Sequence, residues 1–289
     1  MRSNELTQAI NNQDDTANYQ MANVLNGLEI VRACYVKRTF AKHVHEEFTV
    51  GLIEHGAQRF YRSGNVHVAN QDTIILVNAD DVHTGEAATD FGWQYRAMYP
   101  TLEQFASVAS ELFSNGTFLP YFTSAVVQDA VLANKLRNMF WHIDNQAETL
   151  LLETMAYDIL LGLLTRHGTR RELPQDIAGS KIKLARAKEY LDAYPQEDVS
   201  LAKLSQVAGL SQYHFVRQFK KAFDITPHSY QIQARLKKAK SLLKLGVKPV
   251  DVAMDCGFHD QSHLSRHFVK MLGVTPGKFY QQAILYKTH

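Results

Sequence analysis

Between residues 201 and 280 the chain carries nearly the same message twice, and this duplication limits its possible folds more than any other feature. The first copy reads Leu204-Ser-Gln-Val-Ala-Gly-Leu-Ser-Gln-Tyr-His-Phe215 and runs on through Phe219 and Phe223 to Thr226-Pro227. The second reads Val252-Ala-Met-Asp-Cys-Gly-Phe-His-Asp-Gln-Ser-His-Leu264 and runs through Phe268 and Leu272 to Thr275-Pro276. Gly209 aligns with Gly257 at an offset of 48, whereas Phe215 aligns with Leu264 and Pro227 with Pro276 at 49. One residue is therefore inserted at the turn. Two copies are too few for a solenoid, so the stretch is a tandem pair of supersecondary units.

Each copy reads as helix, tight turn, helix. Leu201, Leu204 and Val207-Ala208 form a short apolar stripe, and Gly209 can take the left-handed conformation that ends a helix. Ser211 is a suitable N-cap for the next helix, whose Phe215, Phe219 and Phe223 share one face. Tyr213, Val216, Arg217 and Lys220 then lie on the opposite side. The second copy buries Leu264, Phe268 and Leu272 and presents Ser262, Ser265, Arg266 and Val269, with Gln261 near the helix N-terminus. A short scaffold helix, a glycine turn and a second helix with a basic outer face make a helix-turn-helix, whose second helix fits the major groove of DNA. A helical domain with merely solvated basic faces could show one such unit. Two in register favour DNA.

The charge distribution agrees. Residues 181–289 hold 18 Lys plus Arg against 8 Asp plus Glu, while the rest of the chain holds 13 against 21. The near-neutral total conceals a basic C-terminal half suited to neutralising phosphates.

The C-terminal block resembles the AraC family of bacterial transcription regulators, most firmly through Val250-Asp-Val-Ala-Met-Asp-Cys-Gly-Phe258, Leu264-Ser-Arg-His-Phe268 and Gly273-Val-Thr-Pro276. The resemblance spans residues 182–283. It implies that Gln212, Tyr213, Gln261 and Ser262 lie where recognition helices meet bases. Arg217 and Arg266, at equivalent outer positions, are placed to pair bidentately with guanine, and Lys220, Lys221, Lys237, Lys238 and Lys270 to contact phosphates.

Upstream, short runs read as strands: 30–36, 48–53, 58–61, 73–77 and 93–98. They are separated by turn signals at His55-Gly56, Ser63-Gly64-Asn65, Asn78-Ala-Asp-Asp81 and Phe91-Gly92. Short strands at this spacing argue for a small barrel or sandwich. Their order is similar to the cupin-like barrel of AraC-type sensor domains. The expected fold class is thus α+β: a cupin-like β-barrel with flanking helices, then an all-α domain with two helix-turn-helix units.

His43, His45 and Glu47 alternate, so on an extended strand all three face one way. With His83 they resemble a cupin metal set, suited to zinc, iron or manganese. The alternative is a sensor barrel that keeps polar residues to hydrogen-bond a small molecule. The expectation is no cofactor and no metal, with these four residues as ligand contacts and the places a metal would take. Tyr61, Trp93, Tyr95 and Arg96 would complete the pocket with aromatic walls and one cation for an anionic group.

Helices are expected over 103–113, 129–143 and 149–166. In the last, Leu152, Met155-Ala156, Ile159 and Leu163 approximate a two-helix seam. The same stripe would serve for packing against the protein's own barrel, but in AraC-like proteins helices here often pair two chains, so a homodimer is expected. The resulting organisation is a flexible arm (1–20), a ligand-sensing barrel (21–100), a helical dimerisation or packing region (101–167), a linker (168–180) and the DNA-binding domain (181–289). The arm is placed on polar composition. Within the last region, Ser229 to Leu245 reads as a helix joining the two units.

Two cysteines, Cys34 and Cys256, fit buried packing in a reducing cytosol better than a disulfide or a metal site. No apolar run approaches the ~20 residues of a membrane helix and no signal-peptide pattern opens the chain, so a soluble cytoplasmic protein is expected. No nucleophile elbow or phosphate loop points to an enzyme. The expected function is a ligand-responsive, sequence-specific transcription regulator, an activator by family resemblance. Its partners are a double-stranded DNA operator, a small-molecule effector and RNA polymerase. Two other readings use the same residues: a metal-dependent cupin enzyme with a DNA-binding tail, and a constitutive regulator whose barrel only dimerises.

Overall fold

Residues 15–112, 120–170 and 178–285 are described in the computed structural model of the protein, which divides into two units at Arg171 and Glu172. In the first unit the strands β1 (Thr16–Ala22), β2 (Leu28–Tyr35), β3 (Phe40–His43), β4 (Thr49–Arg62), β5 (Asn65–Asn70), β6 (Ile74–Val77), β7 (His83–Ala87) and β8 (Trp93–Tyr99) come in succession. They are followed by α1 (Leu102–Leu112), β9 (Pro120–Phe122), β10 (Val126–Val127), α2 (Ala130–Asp144), α3 (Thr149–His167) and β11 (Gly168–Arg170).

β4 organises this unit. Its first half pairs with β6 and β8, and its second half with β5 and β7. The bend between them falls at a register shift between Ile53 and His55, followed by Gly56 at φ +70. A Cβ on Gly56 would lie 2.1 Å from the Gly92 carbonyl oxygen, so only glycine fits. Sequence reasoning takes His55-Gly56 as a chain reversal between two strands. The structure corrects this: the glycine makes a bulge that curls one continuous 14-residue strand, and the curled antiparallel sheet forms the barrel wall.

Residues 16–20, expected in a flexible arm, belong to β1, which pairs along β2 from Thr16↔Cys34 to Ala22↔Leu28. Intervening Asn18 and Gln20 hide the alternation that buries Ala17 and Tyr19. The remainder of the proposed arm, residues 1–14, lies outside the described residues.

Leu28, Ile30, Val50, Leu52, Ile74, Leu76 and Met98 pack outward against Phe105 and Val108 of α1, Leu136 and Phe140 of α2 and Leu160 of α3. Leu152, Ala156, Ile159 and Leu163 belong to that same core, and Met155 packs against it. The seam expected to join two chains is therefore internal, because the sheet's outer face supplies the apolar partner the stripe needs.

Two buried charges tie the layers together. Asp129 caps α2 by accepting from the Val131 and Leu132 N–H groups and also accepts from Arg166 and His167 at the end of α3. Arg96, on the outward face of β8, donates to both carboxylate oxygens of Asp144 at 2.9 Å and to the Phe140 carbonyl.

The second unit contains α4 (Ala178–Ala193), α5 (Leu201–Val207), α6 (Gln212–Phe223), α7 (Pro227–Leu245), α8 (Pro249–Asp255), α9 (Gln261–Leu272) and α10 (Pro276–Leu285). The expected linker is shorter than composition suggests. Residues 168–170 pair with β9, and α4 begins at Ala178, ahead of the expected domain start.

The repeated Thr-Pro pairs have a local cause. Thr226 Oγ1 accepts from the Ser229 N–H and Thr275 Oγ1 from the Lys278 N–H, both at 3.2 Å, and the following proline opens the helix. Both glycine turns are Schellman closures. Leu210 N–H reaches the Ser205 carbonyl and Phe258 N–H the Ala253 carbonyl, each at 2.9 Å. Gly209 and Gly257 take φ +60 and +75.

Candidate nucleic-acid interface and barrel site

In the first repeat, Phe215 and Phe219 are buried and seat α6 on its scaffold. Ser211 caps it through the His214 N–H. This orientation leaves Gln212, Tyr213, Arg217, Lys220 and Lys221 exposed, with Val216 half-buried between them. In the second repeat, Asp260 caps α9 through the His263 N–H and Leu264 and Phe268 are buried. Gln261, Ser262, Arg266 and Lys270 are exposed and Ser265 is half-buried. Arg217 and Arg266 each stand six residues after their cap. Among the described residues neither has an ion-pair partner. Tyr213 is 69% exposed, too much for a packing role.

Two of the expected phosphate contacts are placed differently. Lys238 donates to Gln196 Oε1 at 2.9 Å, and Lys237 is half-buried, with burial lowering its ammonium pKa. Both lie on α7, where nearby Arg235 donates to the Pro195 and Glu197 carbonyls and Gln231 to that of Glu197. Lys238 is thus engaged with the scaffold, which its sequence position does not reveal.

In the barrel, His43 ends β3 and His83 opens β7, and the two are paired across the strands. Their ring centroids are 4.2 Å apart, and His45 lies 4.8 Å from His83. His45 and Glu47 are in the loop after β3, so the expected alternation on one strand does not occur. The loop nevertheless returns His45 to the cluster, while the Glu47 carboxylate is outside it. Burial holds the His43 imidazole down to about 4, with His45 adding repulsion, and holds His83 well below the ordinary histidine range, so both rings are neutral.

Tyr99 faces His45 edge-on at 5.6 Å. Desolvation raises the phenol pKa of Tyr19, Tyr35, Tyr95 and Tyr99. Tyr95 and Tyr99 nonetheless remain only half-buried, the combination expected of side chains lining a concavity. At one end the lining is closed by Tyr35, Phe40 and Trp93, packed ring on ring. Trp93 is thus a wall residue. Tyr61 is half-buried beneath the Lys42 ammonium, 4.2 Å from its ring. Arg96 is a correction: bound to Asp144 outside the barrel, it offers no cation to a ligand within. Sequence reasoning missed Tyr19, Tyr35 and Tyr99, which alternation along β1, β2 and β8 could have found. An open groove of about 890 Å³ on the outer face, lined by Arg32, Glu54, His55, Gln94 and Arg137 among others, has no tyrosine, phenylalanine or tryptophan in its wall.

Among the described residues no helix is long and apolar enough to cross a membrane.

Residues 25–160 match the AraC-like ligand binding domain family, and residues 204–282 match a helix-turn-helix domain family. The chain is 29% identical to the HTH-type transcriptional regulator YbfI of Bacillus subtilis over 87% of this chain and 90% of that protein. It is 26% identical to the HTH-type transcriptional activator RhaS of an Enterobacter species over 84% and 88%. Among solved structures it is similar in fold to apo ToxT of Vibrio cholerae, with a TM-score of 0.58 and 10% identity, covering 93% of this chain and 97% of that one. A form of ToxT bound to an unsaturated fatty acid gives 0.54 at 11% identity, covering 92% and 94%.

Proposed function

Since the chain belongs to the AraC family of transcription regulators and joins a ligand-binding domain to a helix-turn-helix DNA-binding domain, we propose that α6 and α9 are its recognition helices, laid in successive major grooves. In this reading Gln212, Tyr213, Val216 and Arg217 meet base edges in one groove, and Gln261, Ser262, Ser265 and Arg266 in the next. Lys220, Lys221 and Lys270 grip phosphates, which fix register without reading sequence. The observation that carries this is the matched exposure of Arg217 and Arg266 on two helices with the same capping and burial pattern. On a site selected from random duplexes, Arg217→Ala weakens binding by about 1–3 kcal/mol and relaxes preference at one base pair. Unchanged affinity and unchanged preference would overturn the assignment.

The barrel binds a small molecule with an apolar body and an oxygen-bearing end, suited to tyrosine hydroxyls and neutral imidazoles on aromatic walls. Bound effector changes the fraction of chains competent for the operator, and can do so only through its differential affinity for the two states. Activation is the sign that the relationship to RhaS supports. A homodimer and contact with RNA polymerase belong to the same reading. Neither draws on the Leu152–Leu163 stripe, which the protein's own core uses.

A further inference from the structure

We propose that His43, His45 and His83 bind a divalent transition-metal ion through their Nε2 atoms, and that the ion's open positions anchor an oxygen-donor group of the effector.

One ring nitrogen of each histidine lies within 4.8 Å of the others. The hydrogen bonds at the opposite ring edges decide which nitrogens are available. His43 Nδ1 lies 2.8 Å from the Ala41 carbonyl oxygen, His45 Nδ1 2.8 Å from that of Glu47, and His83 Nδ1 2.9 Å from that of Asp81. A carbonyl only accepts, so each Nδ1 carries the proton and each Nε2 presents a lone pair. Two separate segments, residues 41–47 and 81–83, thus impose the same tautomer on three neighbouring rings. A backbone carbonyl on the far nitrogen is the usual device that orients a metal-binding histidine.

Packing alone gives no reason for this agreement. Lone pairs gathered in one cluster repel unless a donor or a cation lies among them. The Thr49 hydroxyl, 3.2 Å from His45 Nε2, supplies one donor to one ring. Among the described residues neither His43 nor His83 has a second hydrogen-bond partner. Metal–nitrogen bonds of about 2.0–2.1 Å in a tetrahedron bring ligand atoms to roughly 3.4 Å, so the widest pair closes by at most about 1.4 Å. Three imidazoles suit zinc, cobalt, nickel or copper and leave at least one position open.

All three ligands are neutral, so the bound ion keeps its full positive charge. Among the described residues the barrel's two buried guanidinium groups are already committed: Arg96 to Asp144, and Arg62 to Asp81 and the carbonyls of Leu76, Phe122 and Ser124. The metal therefore supplies the cation that sequence reasoning sought in Arg96. A carboxylate or similar oxygen anion is the effector end that completes its coordination.

This rests on the barrel being the effector site, and the test separates the two claims. The full chain is stripped with chelator, then titrated with Co²⁺ and followed by visible d–d absorption, with Zn²⁺ competition and elemental analysis. One ion per chain is expected, with a tetrahedral spectrum. His43→Ala and His83→Gln each weaken binding by about a hundredfold or more, while Glu47→Gln and His263→Ala leave it unchanged. His263→Ala controls for the surface pair His263–His267, whose Nε2 atoms are 3.1 Å apart. Circular dichroism of each variant establishes that the fold is intact. Added benzoate then perturbs the cobalt spectrum. Retention of Co²⁺ by folded His83→Gln, or its loss in His263→Ala, would overturn the site. A cobalt spectrum indifferent to benzoate would overturn the anchoring role. DNA affinity, measured separately, addresses the regulator reading alone.

Discussion

Replacing Gly257 by alanine, compared with the same change at Gly209, tests whether the two turns are equivalent. Both glycines sit at positive φ, +75 and +60, where an alanine costs about 1 kcal/mol. Their surroundings differ. A Cβ on Gly209 meets nothing within 4 Å, whereas one on Gly257 lies 2.4 Å from the Gln196 carbonyl oxygen and 2.9 Å from its carbon atoms. That segment cannot easily yield. Arg235 holds the Pro195 and Glu197 carbonyls, Gln231 also donates to Glu197, and Lys238 holds the Gln196 side chain. An overlap of this kind in a packed site adds about 1–3 kcal/mol. Gly209→Ala should therefore cost about 1 kcal/mol and Gly257→Ala about 2–4 kcal/mol. The assay is urea unfolding of the full chain by far-UV circular dichroism and by tryptophan fluorescence. Trp93 and Trp141 are the chain's two tryptophans and both lie in the first unit, so the fluorescence transition should not move. Equal losses for the two variants, or a shift of the fluorescence transition, would refute the reasoning.

Three further outcomes follow from the same geometry. Lys220→Ala should lower the slope of log affinity against log salt by about 0.9 without altering base preference, as read by fluorescence anisotropy on selected and random duplexes. Ile159→Ala should cost about 2–5 kcal/mol in the first unit and leave the sedimentation coefficient unchanged, since the residue is core. Burial would raise the Asp129 carboxyl, but hydrogen bonds from His167, the Leu132 N–H and Arg166 hold it at about 2, below the ordinary 3.8. Its contribution of about 2 kcal/mol is present above pH 4 and lost as the pH falls toward 2. Acid unfolding followed by tryptophan fluorescence should be shallower over that range in Asp129→Asn.

The second unit was nearly all legible, because its signals are local. Phe215 and Phe219 at helical spacing, Gly209 at a C-terminal cap and Thr226 ahead of Pro227 each determine their own turn of chain. The barrel was less legible for the opposite reason. Gly56 reads as a reversal until Gly92 is known to lie against it, and β1 looks like a polar arm until β2 pairs with it. Arg96 looks like a ligand's cation until Asp144, 48 residues later, reaches it. His43, His45 and His83 do lie together, but not by the expected alternation on one strand. His45 arrives by way of a loop, and Glu47 contributes its carbonyl oxygen in place of its carboxylate.

Hydroxyl-radical footprinting of the full chain on a selected duplex tests the central claim most directly. Two protected patches on one face, about one helical turn apart, are expected. Arg217→Ala and Arg266→Ala should each weaken base preference beneath one patch and spare the other. A single patch, or identical effects of both substitutions on the same base pairs, would contradict the assignment of α6 and α9 as a pair of recognition helices.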